Sequence, residues 1–364
     1  MRYRWAGLWL ALWLCAISAS ATETIRIATF NAELKRNGPS LLLRDLSRGK
    51  DKQITAVVEV ISQTQPDILA LQGFDWDHEN RALSAFVEML EQAGVSYPHV
   101  FAHKPNSGVA SDLDLNANGR LGEAADAIGF GLFTGHGGLA VLSRFPIRAE
   151  GVASFTNLKW RDLPGHIMPT APNGKPFPSQ AVQNVLPLSS SAHWAIPIQL
   201  LDGTELTLLT WKGTPPVFDG PEDMNGRHNH DETRLWSLYL SGELGSVPAR
   251  PFVLAGSATM DPNDSDGRPD ALRALLADPA LQDPEPRISG GADAPAQGHV
   301  TDSALDTVDW PAPGPGRLRV DYVLPSADLM VEGQGVFWPL SGQPGYDAAL
   351  SASRHRLVWV DITP

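Results

Sequence analysis

The chain has 364 residues, of which 43% are hydrophobic and 19% are charged, with 33 glycines and 30 prolines. This composition favours a loop-rich α/β or β-rich globular fold and excludes a long helical bundle. The formal net charge of −13 argues against binding of extended nucleic acid, because such binding depends on lysine and arginine neutralising phosphates.

The first 21 residues have the pattern of a signal peptide. Two arginines precede an apolar run over residues 5–17, and a small-residue site, Ala19-x-Ala21, follows. We therefore expect cleavage near Ala21, export to the periplasm or the medium, and no membrane span in the mature chain. The single cysteine, Cys15, lies inside this segment, so the mature chain is expected to depend on no disulfide.

Apolar runs of strand length alternate with helical periodicity along residues 22–364. The predicted strands lie within residues 23–34, 66–77, 137–147, 205–216, 250–262, 316–326 and 355–362, and the predicted helices within 54–61 and 230–244. Asn229 is expected to cap the second helix, with Asp231 and Glu232 in its first turn. Because these runs show no composition break, we expect residues 22–364 to form one domain of two packed sheets with helices outside.

A polar segment before the third predicted strand resembles a calcium-binding loop. Side-chain oxygens recur there around a glycine turn, at Asp112, Asp114, Asn116, Asn118 and Glu123. The acid expected at the twelfth loop position is missing, since that position is Ala125. The segment is thus either a structural calcium site, with Glu123 or Asp126 completing it, or an ordinary polar turn.

Six blocks in order resemble the endonuclease/exonuclease/phosphatase superfamily. They are IATFNAE, DILALQGFD, GGLAVLSRFPI, LTLLTWKGTPP, FVLAGSATMDP, and LRVDYVLPS followed by SRHRLVWVDI. The resemblance covers nearly all of the chain after the signal peptide and implies a deoxyribonuclease I-like, four-layered α/β sandwich. It also implies phosphoester hydrolysis with a divalent metal, usually magnesium, and a histidine, oriented by an aspartate, that assists attack by water.

Only part of the superfamily's site pattern is present in this sequence. Asn31, Asp321 and the final histidine, His355, match it. The other positions have changed: Gly73 replaces a glutamate, Lys212 a histidine, Ser257 and Thr259 an Asp-x-Asn pair, and Arg354 the acid before the final histidine. Because magnesium prefers carboxylate ligands, the expected magnesium site becomes doubtful.

The substitutions leave two interpretations of the site. In one, Arg354, Lys212 and Thr259 bind a phosphate directly; in the other, Arg354 turns to solvent and pairs with a surface acid. Asp75 and Asp261 are candidate relocated metal ligands.

The sequence therefore supports two main functional hypotheses. The first is an exported, catalytically impaired protein that binds a small phosphate-containing molecule. The alternative is an active phosphodiesterase or phosphatase that uses relocated ligands and the Asp321–His355 pair. A weaker third hypothesis is a calcium-stabilised surface protein without a ligand in the old pocket. The sequence predicts no oligomeric state.

Overall fold

The structure is a computed structural model that describes residues 24–288 and 298–363. The predicted signal peptide, residues 1–21, lies outside the described residues. Within the described ranges, no helix combines the length and the apolar character needed to cross a membrane.

The described strands form two main sheets and one small hairpin. The strands are β1 (Ile25–Asn31), β2 (Ile68–Phe74), β3 (His99–Phe101), β4 (Gly138–Ser143), β5 (Ala153–Ser154), β6 (His193–Gln199), β7 (Glu205–Trp211), β8 (Phe252–Ser257), β9 (Val308–Trp310), β10 (Gly316–Leu318), β11 (Asp321–Pro325), β12 (Met330–Val336) and β13 (Val358–Thr363). The first sheet has the order β12-β13-β1-β2-β4-β3 and the second has the order β11-β8-β7-β6-β5. Strands β9 and β10 pair with each other.

Helices cover the outer faces of both sheets. The described α-helices are α1 (Leu41–Arg48), α2 (Lys52–Thr64), α3 (Arg81–Gln92), α4 (Gln180–Gln183), α5 (Met224–Leu240), α6 (Asp270–Leu276) and α7 (Tyr346–Ala352). Helices α1, α2, α3 and α7 pack on the first sheet, whereas α5 and α6 pack on the second. A third apolar layer, with Ile27 and Val253 among its members, fills the space between the sheets. The layers therefore run helix, sheet, sheet, helix, which confirms the predicted α/β sandwich.

Strand alternation places a set of polar residues at one end of the layer between the sheets. Ile25 and Ile27 of β1 face this layer, so Asn31, at even spacing from them, faces it too. The same spacing relates Ser257 to Val253 and Asp321 to Val323. The candidate site thus lies where the apolar filling between the two sheets ends.

Two details of the predicted elements are wrong. The helix predicted over residues 230–244 begins at Met224, and Asn229 lies inside it. The Asn229 amide instead donates hydrogen bonds of 2.7 Å to the carbonyl oxygens of Thr214 and Ala258, because α5 packs against those loops. The run over residues 316–326 forms two strands, β10 and β11, and not one.

Candidate functional site

A buried chain of hydrogen bonds links the three residues that match the superfamily pattern. Nδ1 of His355 lies 2.8 Å from Oδ2 of Asp321, and Nε2 of His355 lies 3.2 Å from the amide nitrogen of Asn31. The three side chains belong to residues that are no more than 3% exposed. The Asn31 amide thus lies on the Nε2 side of the ring and the Asp321 carboxylate on the Nδ1 side. The histidine is therefore held on both sides.

The residues around this chain fix its orientation. The Thr307 hydroxyl donates to Oδ2 of Asp321 over 3.0 Å and accepts from the backbone amides of Val320 and Asp321. The Trp310 ring stands almost perpendicular to the His355 ring, with centroids 5.6 Å apart. The imidazole therefore has one well-defined position.

Gly73 interrupts β2 at the position where the superfamily pattern has a glutamate. It has φ +70°, and the register with β4 shifts between Gln72 and Phe74. A Cβ atom at Gly73 would lie 2.6 Å from Oδ1 of Asn31 and 3.0 Å from the backbone nitrogen of Glu33. A side chain is therefore excluded here unless Asn31 moves.

Three oxygens at the end of the inter-sheet layer lack a hydrogen-bond partner within the described protein. They are Oδ1 of Asn31, Oγ of Ser257 and Oδ1 of Asp321, and all three atoms are buried. Ser257 is the register partner of Asp321 on one side and bridges Lys212 on the other. We call these atoms the acceptor set, since two of them can only accept and the hydroxyl can accept as well as donate.

Arg354 pairs with Glu33, an acid that the sequence reasoning missed. Nε of Arg354 lies 3.0 Å from Oε2 of Glu33, and its Nη2 contacts Oε1. Burial tends to raise the pKa of Glu33, but the hydrogen bond from Arg354 and the charges of His355 and Arg354 outweigh it and lower the pKa to about 2. The Arg354 side chain is 51% exposed. Its guanidinium therefore lies at the rim of the site and is neutralised by Glu33.

Lys212 follows β7 and is partly buried beside further basic side chains. Among the described residues its ammonium group has neither a hydrogen bond nor an ion pair. Burial and the charge of Lys35 lower its pKa, which lies at about 8 although Glu33 and Glu232 act in the opposite direction. Burial together with Lys35 and Lys212 lowers the pKa of His136 to about 4. We refer to Lys35, His136 and Lys212 as the basic cluster.

The two neighbouring acids, Glu33 and Glu232, act on Lys212 through their charges, but neither forms an ion pair with it among the described residues. Glu33 is held by Arg354, and Glu232 accepts from the backbone amides of Ser190 and Thr214 over 2.7 and 2.6 Å. The Lys35 side chain lies over Gly137, 3.6 Å from where a Cβ atom would be. The positive charge of the cluster comes from Lys35 and Lys212, since the lowered pKa of His136 leaves its ring uncharged at neutral pH.

The two candidate relocated metal ligands are used by the backbone. Oδ1 and Oδ2 of Asp75 accept 2.8 Å hydrogen bonds from the amides of Gly137 and Arg36. Burial raises the pKa of Asp75 to about 6 although these bonds act in the opposite direction.

Asp261 is fully buried and shapes a turn. It accepts from the amides of Asn263, Asp264 and Arg319 and from the Thr301 hydroxyl, at distances between 2.8 and 3.0 Å. All of these bonds are within the protein, so both carboxylate oxygens are already engaged. Asp261 therefore stabilises this turn.

Two other predicted groups are engaged in local contacts. The Thr259 hydroxyl donates to the carbonyl oxygen of Gly213 over 2.6 Å, so it is used by the backbone of the turn.

In the predicted calcium loop, Asp114 accepts from the backbone amides of Asn118 and Gly119, and the side-chain amide of Asn118 donates to Glu123 over 2.7 Å. Asp112 and Asn116 are exposed in the same turn. These contacts form a polar turn, and the calcium hypothesis remains a prediction.

The residues present do not fit the divalent metal that the superfamily implies. Positions 73, 257 and 354 carry no carboxylate, and Oδ2 of the remaining Asp321 is bound to His355 and Thr307. Over residues 24–288 and 298–363, no group of three or more His, Cys, Asp or Glu side chains is arranged to hold a metal ion.

Glu33, Lys35 and His136 are the site residues that the sequence reasoning missed. Strand alternation gave no signal for the first two, because β1 ends at Asn31 and Glu33 has φ +49°. His136 carried none, because only the pairing of β2 with β4 brings its loop to the site.

A model of the family described as "Endonuclease/Exonuclease/phosphatase family" matches residues 28–355. No curated protein matches the chain significantly. Among solved structures, a family protein from Beutenbergia cavernae is 15% identical, with a TM-score of 0.54, covering 93% of this chain and 71% of its own. The human Nocturnin catalytic domain with bound sulfate is 16% identical, with a TM-score of 0.48 and 93% coverage of both chains. A mannosyl-6-phosphatase from Bacteroides thetaiotaomicron is 13% identical, with a TM-score of 0.47, covering 93% of this chain and 99% of its own. Because the family model spans most of the chain, this protein belongs to the endonuclease/exonuclease/phosphatase family.

Proposed function

We propose that this family member binds a small phosphate-containing molecule in the old catalytic pocket and does not catalyse metal-dependent hydrolysis. The observation that carries the proposal is the basic cluster, whose Lys212 forms no ion pair among the described residues and is the strand neighbour of Ser257, where the family pattern has a carboxylate. Ammonium groups attract phosphate oxygens and repel a divalent cation.

The proposal assigns the main role to Lys212, with Lys35 in support. Lys212 is level with Ser257 and has no competing partner among the described residues, so its donors are available to a ligand. Arg354 takes a smaller part than the sequence hypothesis gave it, because Glu33 occupies its guanidinium.

Titration calorimetry with inorganic phosphate tests binding. We expect binding by the mature protein, loss in Lys212→Met, and no change in Lys175→Met, whose lysine is exposed. Equal binding by both variants would contradict the assignment to Lys212. In parallel, hydrolysis of p-nitrophenyl phosphate and of bis(p-nitrophenyl) phosphate is measured with magnesium, with manganese and with EDTA. Metal-dependent turnover lost in EDTA would overturn the proposal.

The alternative function, an active phosphodiesterase or phosphatase, is favoured by one observation. The pair of Asp321 and His355 is intact and rigidly held, as a general base requires. Nε2 of His355, however, is already bonded to Asn31, so this alternative needs a shift of that amide. Turnover that His355→Ala abolishes would favour it.

We also propose that the mature protein is exported, which the sequence pattern of residues 1–21 supports. N-terminal sequencing of the protein from a periplasmic fraction tests the proposal, and Thr22 is the expected first residue. An N-terminus at Met1 in a cytoplasmic fraction would contradict it.

A further inference from the structure

We infer that the ligand of this pocket is a protonated tetrahedral oxyanion, a phosphate group that keeps one P–OH, and that the site rejects a fully ionised oxyanion such as sulfate. The inference rests on the proposed phosphate binding and adds the ligand's protonation state.

The acceptor set needs hydrogen-bond donors from a ligand. Asn31 and Asp321 each keep one buried oxygen without a partner, and Ser257 adds a buried hydroxyl. Buried acceptors cost free energy unless a donor reaches them. No described side chain or backbone amide, Lys212 included, donates to these oxygens, so a matching ligand has to carry its own O–H or N–H.

The residues that carry these oxygens lie beside Gly73 and Lys212. Oδ1 of Asn31 points at the space above Gly73, because a Cβ atom there would lie only 2.6 Å from it. Asp321 lies beside Ser257 across the β11–β8 pair, and Ser257 bridges Lys212. Asn31, Ser257 and Asp321 therefore meet at the same end of the inter-sheet layer, and Lys212 is the strand neighbour of Ser257.

The Asp321 carboxylate favours a ligand that carries a proton. Oδ2 of Asp321 accepts from the Thr307 hydroxyl and faces Nδ1 of His355, and Oδ1 has no partner among the described residues, so the group presents itself as an acceptor-only carboxylate. A carboxylate next to an anion is repulsive unless a shared proton joins them. Hydrogen phosphate provides this proton at neutral pH and sulfate does not, whereas the basic cluster attracts both anions. Discrimination then comes from a repulsive element as well as an attractive one.

Calorimetry on the wild-type protein at pH 7.5 with sodium phosphate and sodium sulfate, at equal ionic strength, tests the inference. We expect phosphate to bind about 100-fold more tightly or better, because sites built to accept from a ligand hydroxyl reject analogues that lack it by large factors. Equal affinities would overturn the inference and leave the proposed function standing. If neither anion binds, the proposed function fails with it.

A second arm uses phenyl phosphate at pH 5 and at pH 7.5. The second pKa of a phosphomonoester is about 6, so the P–OH is present at the lower pH and lost at the higher one. We expect at least about tenfold weaker binding at pH 7.5 in the wild-type protein, and a smaller pH effect in Asn31→Ala, which lacks an acceptor. The unresponsive control is inorganic phosphate, which keeps a P–OH at both pH values. Equal binding of phenyl phosphate at the two pH values would contradict the inference.

Discussion

Removal of the Glu33 charge should destabilise the protein in a pH-dependent manner. Glu33→Gln keeps an acceptor for Arg354 but loses the ion pair. The pKa of Glu33 falls from 4.5 to about 2 on folding, which corresponds to roughly 3 kcal/mol of stability at neutral pH. Since the Arg354 side chain is 51% exposed, solvent screening reduces the expected loss to about 1–2 kcal/mol.

The pH dependence has a defined sign. A lowered pKa contributes stability that is fully present above pH 4.5 and is lost as the pH falls towards 2. The difference between wild type and Glu33→Gln in urea unfolding should therefore be largest at pH 7 and fall to roughly 40% of that value at pH 3. Glu91→Gln, on the exposed side of α3, is the matched control and should show no difference. A difference between wild type and Glu33→Gln that is the same at pH 7 and pH 3 would refute the ion-pair assignment.

Three further predictions concern the same region. Gly73→Ala should lower the free energy of unfolding by more than the ~1–2 kcal/mol that a left-handed backbone conformation costs alanine, because its Cβ atom would collide with Asn31. Gly49→Ala has open space around it and should cost only that ~1–2 kcal/mol. Equal losses of stability in thermal melts of the two variants would contradict this prediction. Asp261→Ala should cost about 3 kcal/mol or more, since four donors lose their acceptor, and exposed Asp266→Ala in the same turn should be neutral. Phosphate affinity should fall as the pH rises through about 8, where Lys212 loses its proton, and Lys212→Arg should flatten this profile in calorimetry between pH 7 and 9.5.

Much of the architecture was predictable because each sheet buries both of its faces. The strands near residues 25, 68, 138, 205, 252 and 358 are short apolar runs that end at turns, and these patterns are local. The order of motifs then identified the family, and with it the meeting of Asn31, Asp321 and His355.

The state of individual site residues was less predictable, because it depends on which partner each one finds. Arg354 neighbours His355 in sequence, yet its partner Glu33 is 321 positions away. Asp75 looked available as a ligand, but the distant amide of Gly137 reaches it in the folded chain. Asn229 resembled a helix cap because its neighbours Asp231 and Glu232 are polar. Both neighbours are instead fully buried inside α5, where their carboxylates accept hydrogen bonds from the backbone of the surrounding loops.

The position of β13 in the first sheet has a consequence for how the pocket comes into being. This late strand lies between β12 and β1, so the earliest and the latest described strands are hydrogen-bonded neighbours. Until residues 355–363 dock, β1 lacks one of its two neighbours and Asn31 lacks His355. Pairings of such high sequence separation form slowly during folding. A truncation before residue 355 would therefore remove His355 and the strand neighbour of β1 together, which makes the proposed ligand binding a readout of complete folding.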